Sequence, residues 1–195
     1  AAKFYHPLFS WDIGLDGTYA GATYDGTSVK WEVLQQVEED GTVKEGYVLR
    51  ISPDAGATGV MRGFGSDFDT AAPWSALGAR GDLADKIVRV DVEGTITCAG
   101  DLSNLFRGLE KAESMDLRGL SLISADIPSE SGTLNPNIGV RSMSEMLREC
   151  SLITRVSTSV SGSMPEGERL VALPASMDTT ALTDAHGMLA DMASL

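Results

Sequence analysis

The sequence predicts an α/β solenoid of short helices and parallel strands, preceded by a β-rich N-terminal cap of antiparallel hairpins. A stretch of apolar positions recurs three times in the second half of the chain. A strand-like segment recurs at an offset of 25 residues. Residues 1–78 instead alternate β-prone runs with Asp-Gly turns. Self-similarity at a fixed period marks units that cannot bury their own apolar face and must stack on a neighbour.

The N-terminal region, residues 1–78, carries Asp16-Gly17, Asp25-Gly26 and Asp40-Gly41 between short runs. Asp-Gly between apolar alternations is a strong hairpin signal. Val29–Val37 and Gly46–Ser52 flank Asp40-Gly41 and are expected to pair. Val29, Trp31 and Val33 alternate with Lys30 and Glu32, the period of a half-buried strand. Ser52–Pro73 is rich in Gly, Asp and Ala and reads as loop; Ala72-Pro73-Trp74 leads into the repeats of residues 79–195.

Lys86–Gly94 is the first repeat strand, and Ala112–Gly119 matches it: Ile87 with Ala112, Val90 with Met115, Asp91 with Asp116, Val92 with Leu117, Gly94 with Gly119. Leu102–Leu117 returns as Met143–Thr158 and, shortened, as Ala185–Leu195. Leu102 aligns with Met143 and Ala185, Leu105 with Met146 and Met188, Phe106 with Leu147 and Leu189, Leu109 with Cys150 and Met192, and Ala112 with Ile153 and Leu195. Leu102, Leu105 and Phe106 sit at i, i+3 and i+4, one face of a short helix that Asp101 or Ser103 caps and Gly108 ends. Leu109–Leu117 reads L-x-x-L-x-x-L-x-L and closes in strand alternation, with Met115 and Leu117 inward. Helix then strand, repeated, points to the leucine-rich repeat class.

The later repeat step is 41 to 42 residues, so two units carry insertions near 120–139 and 160–180, in register with each other. Insertions in repeats project from one face, often the binding face. Two surfaces are therefore candidates for binding. One is the outward strand face: Arg89, Asp91, Ser114, Asp116, Arg155 and Ser157. The other is a ridge of stacked insertions, Ser124–Asn137 and Ser161–Pro174, with Asp126, Glu130, Asn135, Asn137, Glu166, Glu168 and Arg169. Tolerated surface loops are the plainer reading of the insertions.

Net charge is −13, about −7 over residues 1–98 and about −6 over the rest. Nucleic acid is excluded as a partner, because phosphate binding needs clustered Lys and Arg. Arg107 and Arg148 recur at one position, but Glu110 and Glu149 beside them make a solvated face. No apolar run approaches the roughly 20 residues of a membrane span. No signal peptide precedes Ala1 and the chain stops within a repeat at Leu195, so the sequence reads as a fragment or processed form.

His6 and His186 lack the orienting partners of a catalytic base. Asp12, Asp16 and Asp25 among glycines offer oxygen ligands for calcium, but lack EF-hand spacing, and hairpin turns explain them. No cofactor is expected. Cys98 and Cys150 are expected to be free: Cys150 stacks over Leu109, eleven residues past Cys98 and across a helix of about seven residues. At ~1.5 Å rise per residue that is about 10 Å, beyond the ~7 Å Cα limit of a disulfide.

Thr179, Thr180, Leu182, Thr183, Asp184, Met188, Leu189, Ser194 and Leu195 resemble the BspA-type leucine-rich repeat, T-S-N-V-T-D-M-S-x-M-F-x-G-C-S-S-L. Val140, Met143, Ser144, Met146, Leu147, Cys150, Ser151 and Leu152 match it again, and Ser103–Leu120 matches its helix-plus-strand part. Trp31 to Trp74 is similar to the strand-rich leader that often precedes such repeats. The lengthened units and the Leu in place of Phe in two helices depart from the pattern. The resemblance implies a secreted or surface-displayed bacterial protein that binds an extracellular protein or glycan, and it supplies no catalytic residues. A structural stalk displaying another domain is the alternative, and an enzyme in the N-terminal region a weaker one.

Overall fold

The computed structural model describes residues 3–13, 18–19, 22–23, 29–37, 40–53, 60–64, 85–124 and 139–195. Its largest sheet begins with β1 (Lys3–Ile13), β4 (Val29–Val37) and β5 (Val43–Pro53), all antiparallel. The hairpin expected at Asp40-Gly41 is present, with Trp31 opposite Ile51 and Val33 opposite Leu49. Gly41 adopts φ +88° and the Thr42 N–H donates to Asp40 Oδ1 at 2.8 Å. That backbone hydrogen bond holds the Asp40 carboxyl below its ordinary range. Two short strands, β2 (Thr18–Tyr19) and β3 (Ala22–Thr23), form their own pair. The Asp16-Gly17 and Asp25-Gly26 turns, and the side chains of His6, Asp12 and the Val29–Val33 alternation, lie outside the described residues.

On the other side of β5 the sheet becomes parallel. β7 (Ile87–Val92) pairs with β5, and β9 (Ser114–Asp116) pairs with β7. Val90 lies opposite Met115 and Asp91 opposite Asp116, the 25-residue register read from the sequence. Val90, Val92, Met115 and Leu117 are buried, while Arg89, Asp91, Ser114 and Asp116 face outward. After β7 the chain turns at Gly94 into β8 (Ile96–Asp101), which forms a second parallel sheet with β6 (Val60–Phe64) and β10 (Leu120–Leu122). Gly119 repeats the Gly94 corner. A Cβ at Gly119 would collide with the Gly94 carbonyl oxygen and reach the Val92 carbonyl oxygen at 3.0 Å, so only glycine permits this approach.

Among the described residues no segment is helical, which corrects the expected helices at 102–108, 143–149 and 185–191. Each is instead a pair of successive turns. Leu105 donates to Leu102 and Arg107 to Asn104; Met146 to Met143 and Arg148 to Glu145; Met188 to Ala185 and Ala190 to Gly187. The remaining alternate N–H groups donate to the next segment. Leu102, Asn104, Phe106 and Gly108 bond Ser142, Ser144, Met146 and Arg148 at 2.9–3.1 Å; Met143, Glu145, Leu147 and Glu149 bond Asp184, His186, Met188 and Ala190 at 2.9–3.0 Å.

Left-handed residues explain why no helix forms. Asn104, Glu145 and Gly187 have φ of 65°, 54° and 62°; Gly108, Glu149 and Asp191 have 77°, 66° and 58°. Two such residues four apart rotate the intervening N–H groups out of the i→i−4 ladder. The cap is real without its helix: Asp101 Oδ1, Ser142 Oγ and Asp184 Oδ1 each accept from the N–H two residues ahead, at 2.9, 3.2 and 2.8 Å.

The apolar face of the first two segments matches the spacing argument; in the third only Met192 is buried, while Ala185, Leu189 and Leu195 are exposed. Leu102, Leu105, Phe106 and Leu109 and their counterparts Met143, Met146, Leu147 and Cys150 are buried in one core with Val90, Val92, Ile96, Met115 and Leu117. Each such aliphatic or aromatic side chain contributes about 1.5–3 kcal/mol when fully buried. Cys98 and Cys150 are both free and buried.

The largest correction concerns the second insertion. Leu170–Ala172 is not loop but a strand, β12, wedged between β9 and β11 (Arg155–Ser157). Leu170, Val171, Ala172 and Leu173 are all buried. A continuous apolar run suits a strand covered on both faces, whereas a polar loop would leave it in water.

Candidate functional site

β12 reorders the outward strand face. Arg89 and Ser114 are followed across the sheet by Leu170 and then Arg155; Asp91 and Asp116 by Ala172 and then Ser157. Arg155 and Ser157 therefore stand one strand further from the Arg89–Asp116 group than the repeat implied. The chain between β11 and β12 folds back over this face. Ser163–Arg169 forms a wall, and between wall and sheet lies a cleft of about 1170 Å³.

Seven of the thirteen candidate residues line that one cleft: Arg89, Asp91, Ser114 and Asp116 on the floor, Glu166, Glu168 and Arg169 on the wall. Arg155 is not on the lining, and its Nη2 lies 2.7 Å from Glu168 Oε2. The Ser157 hydroxyl meets the Ser159 hydroxyl at 3.0 Å. Asp126, Glu130, Asn135 and Asn137 lie outside the described residues. The ridge of two stacked insertions is replaced, on the 161–174 side, by a wall and a buried strand.

Two arginine–carboxylate pairs hold the floor carboxylates, Arg89 on the lining itself and Arg118 beside it. Arg89 Nε and Nη2 donate to Asp91 Oδ2 at 2.8 and 2.6 Å. Arg118 Nε donates to Asp116 Oδ1 at 2.8 Å and Nη2 to Oδ2 at 2.6 Å. The free end of Arg118 reaches the folded-back chain: Nη1 donates to the Gly162 carbonyl at 2.7 Å and the Val160 carbonyl at 3.4 Å. Arg118 thus ties Asp116 on the floor to the chain just ahead of the wall, a role invisible in the repeat alignment. Its signal is spacing, because Arg118 stands two residues after Asp116 on the side of the strand that Arg89 and Asp91 share.

The two carboxylates, opposite each other on adjacent strands, are shifted apart. Burial raises Asp91, with help from Asp116 and Glu93, against the lowering by Arg89. Burial also raises Asp116, but hydrogen bonds and charge from Arg118, with Arg89 behind, outweigh it and the net shift is downward. The rest of the rim is mixed in sign. Lys44, Lys86, Lys111 and Arg169 share it with Glu45, Asp85, Glu93, Glu113, Glu166 and Glu168. Gln36, on β4, is the one largely buried amide on the lining. Planar forks and paired charges offer fixed hydrogen-bond geometry and charge complementarity to a polar ligand.

His186 is exposed on the third turn segment, away from the cleft lining. Among the described residues no group of three His, Cys, Asp or Glu side chains is arranged to hold a metal ion. Arg107 and Arg148 form a surface network with Glu145, Glu149 and Asp191 at 2.8–3.7 Å. Exposed pairs of this kind each contribute about 0–1 kcal/mol. Among the described residues no helix is long and apolar enough to cross a membrane.

The chain matches no protein-family model, no curated protein and no solved structure.

Proposed function

We propose that the protein is a non-enzymatic binding module, a short leucine-rich solenoid of the BspA-like kind, secreted or displayed at a bacterial surface. Its ligand, an extracellular protein or glycan, enters the cleft between the strand face and the Ser163–Arg169 wall. One observation carries the reading. The outward polar residues of consecutive parallel strands and the folded-back insertion line a single cleft, with their charged groups already fixed by one another. Side chains held in that way lose little entropy on binding.

Support for the solenoid comes from the turn segments, which repeat the same caps, left-handed positions and hydrogen bonds three times. The resemblance to surface-protein repeats supplies the location. An affinity screen against glycans and extracellular proteins tests the proposal, using wild type and Ser114→Trp. The indole would fill the cleft floor, so the variant is expected to lose at least tenfold in affinity. A ligand that binds both proteins equally contradicts the cleft, and the absence of any ligand favours the stalk.

A further inference from the structure

Among the described residues, two polar groups on the cleft lining have no partner. Gln36 is only 9% exposed, and nothing there hydrogen-bonds its side-chain amide. Buried amides are bonded as a rule, because an unbonded one forfeits the hydrogen bonds that water would give it. The second group is Asp91 Oδ1. Both hydrogen bonds from Arg89 go to Oδ2, and among the described residues no donor reaches Oδ1. Asp116 beside it differs, since Arg118 engages both of its oxygens. Lys44, Lys86 and Lys111 line the same cleft, but none pairs with Asp91.

A carboxylate oxygen only accepts, so the partner of Asp91 Oδ1 is a donor. Burial holds the Asp91 carboxyl above its ordinary range despite Arg89, and a second cation would stabilise its ionised form. Around it stand Arg89 and Glu93 on its own side of the corner, Asp116 on β9, and Arg50 opposite on β5, engaged by Glu93 at 3.6 Å. A guanidinium fork uses both carboxylate oxygens, and Oδ2 is taken; an ammonium needs one. The Gln36 amide both donates and accepts, which matches the N–H and C=O of a peptide backbone. By strand spacing the two groups lie about 15 Å apart, a span of about four or five extended residues. Among the described residues none that lines the cleft is aromatic, so a sugar ring has no flat apolar face to stack on. The net charge of −13 attracts cationic ligands.

We infer that the cleft binds an extended segment of a protein ligand, taking a lysine side chain onto Asp91 Oδ1 and a backbone amide onto Gln36. The inference rests on the cleft being the binding site, and it narrows the ligand from protein or glycan to a lysine-bearing peptide segment. The lysine supplies the charge contact and Gln36 fixes where the backbone lies.

The test titrates the protein with the end-blocked peptide Thr-Thr-Lys-Thr-Thr, with the same peptide carrying norleucine or arginine at its centre, and with the neutral oligosaccharide cellopentaose, each to millimolar concentration. Binding is read from the NMR signals of the Asp91 carboxyl and the Gln36 side-chain amide. The lysine peptide is expected to shift both signals and to bind about tenfold or more tighter than the norleucine peptide. Asp91→Asn is expected to remove that preference, and Gln36→Leu to weaken both peptides alike. Norleucine or arginine binding as tightly as lysine overturns the inference; if Ser114→Trp still abolishes binding, the cleft stands as the site and only the lysine contact fails. Shifts with cellopentaose and none with the peptides overturn the inference in favour of a glycan. Lysine-peptide binding that Ser114→Trp leaves intact overturns the cleft and the inference together, and no shift with any probe overturns the inference.

Discussion

Gly119→Ala tests the stacking of successive units at its tightest point. The new methyl would overlap the Gly94 carbonyl oxygen, reach the Val92 carbonyl oxygen at 3.0 Å and Val92 Cγ1 at 2.9 Å. Two of these neighbours are backbone, so relief requires one layer to move off the next. Inserting a methyl into a tightly packed place costs about 1–3 kcal/mol. The displacement also strains the Ile96 N–H to Gly119 carbonyl bond of 2.8 Å and the β8–β10 ladder beside it, adding about 1 kcal/mol for a lost hydrogen bond. The sum is about 2–4 kcal/mol, a large share of the 5–15 kcal/mol typical of a folded protein. Urea unfolding followed by circular dichroism is the assay, and a midpoint lowered by roughly 1 M or more is expected for m of about 2 kcal/mol/M. Gly162→Ala is the control: nothing lies within 4 Å of its Cβ position, and its φ of +71° limits the penalty to backbone strain of about 1–2 kcal/mol. A Gly119→Ala loss below about 0.5 kcal/mol, the range of ordinary surface changes, would refute the close approach of the two corners.

Arg118→Ala removes the tie between Asp116 and the chain just ahead of the wall; stability is expected to fall by about 1–3 kcal/mol, with faster proteolysis within 158–169, and an unchanged digestion pattern would count against the tie. Burial pushes the Cys98 thiol up to about 12, so native protein at pH 8 is expected to resist alkylation at both buried cysteines until denaturant is added. In a carboxyl titration by NMR, Asp91 is expected above and Asp116 below the ordinary value of about 3.9. Their effects on stability have opposite signs. Asp91 stabilises fully below its unfolded pKa, and that contribution is lost as pH rises through its raised native value. Asp116 stabilises above its unfolded pKa and loses that contribution as pH falls through its lowered native value. Titration in the reverse order would contradict the assigned roles of Arg118 and burial.

Periodicity made much of this legible. The 25-residue register between β7 and β9, the β4–β5 hairpin and the buried Leu102–Phe106 and Met143–Leu147 sets follow from apolar spacing and an Asp-Gly turn. Spacing at i, i+3 and i+4 did not separate a helix from consecutive turns, since both place those residues on one face. The distinguishing signal is weak: Asn104, Gly108 and Gly187 favour left-handed backbone, but Glu145 and Glu149 at the matching places do not. Those glutamates take the conformation in the segment that is hydrogen-bonded to a neighbour on each side. The site was half legible. Alternation placed Arg89, Asp91, Ser114 and Asp116 outward, but the cleft depends on Leu170–Ala172 entering the sheet. The apolar run from Leu170 to Leu173 could have identified that strand; the repeat alignment, which made the whole stretch an insertion, obscured it.

Native-state hydrogen exchange at three equivalent amides, in the free protein, measures the ladder of alternate N–H bonds that holds the units together. Phe106 and Leu147, donating to Met146 and Met188 at 2.9 and 3.0 Å, are expected to exchange only at the slow rates of the core, and Leu189 to exchange as an open amide. Equal protection at all three positions, or none at Phe106 and Leu147, would contradict the account.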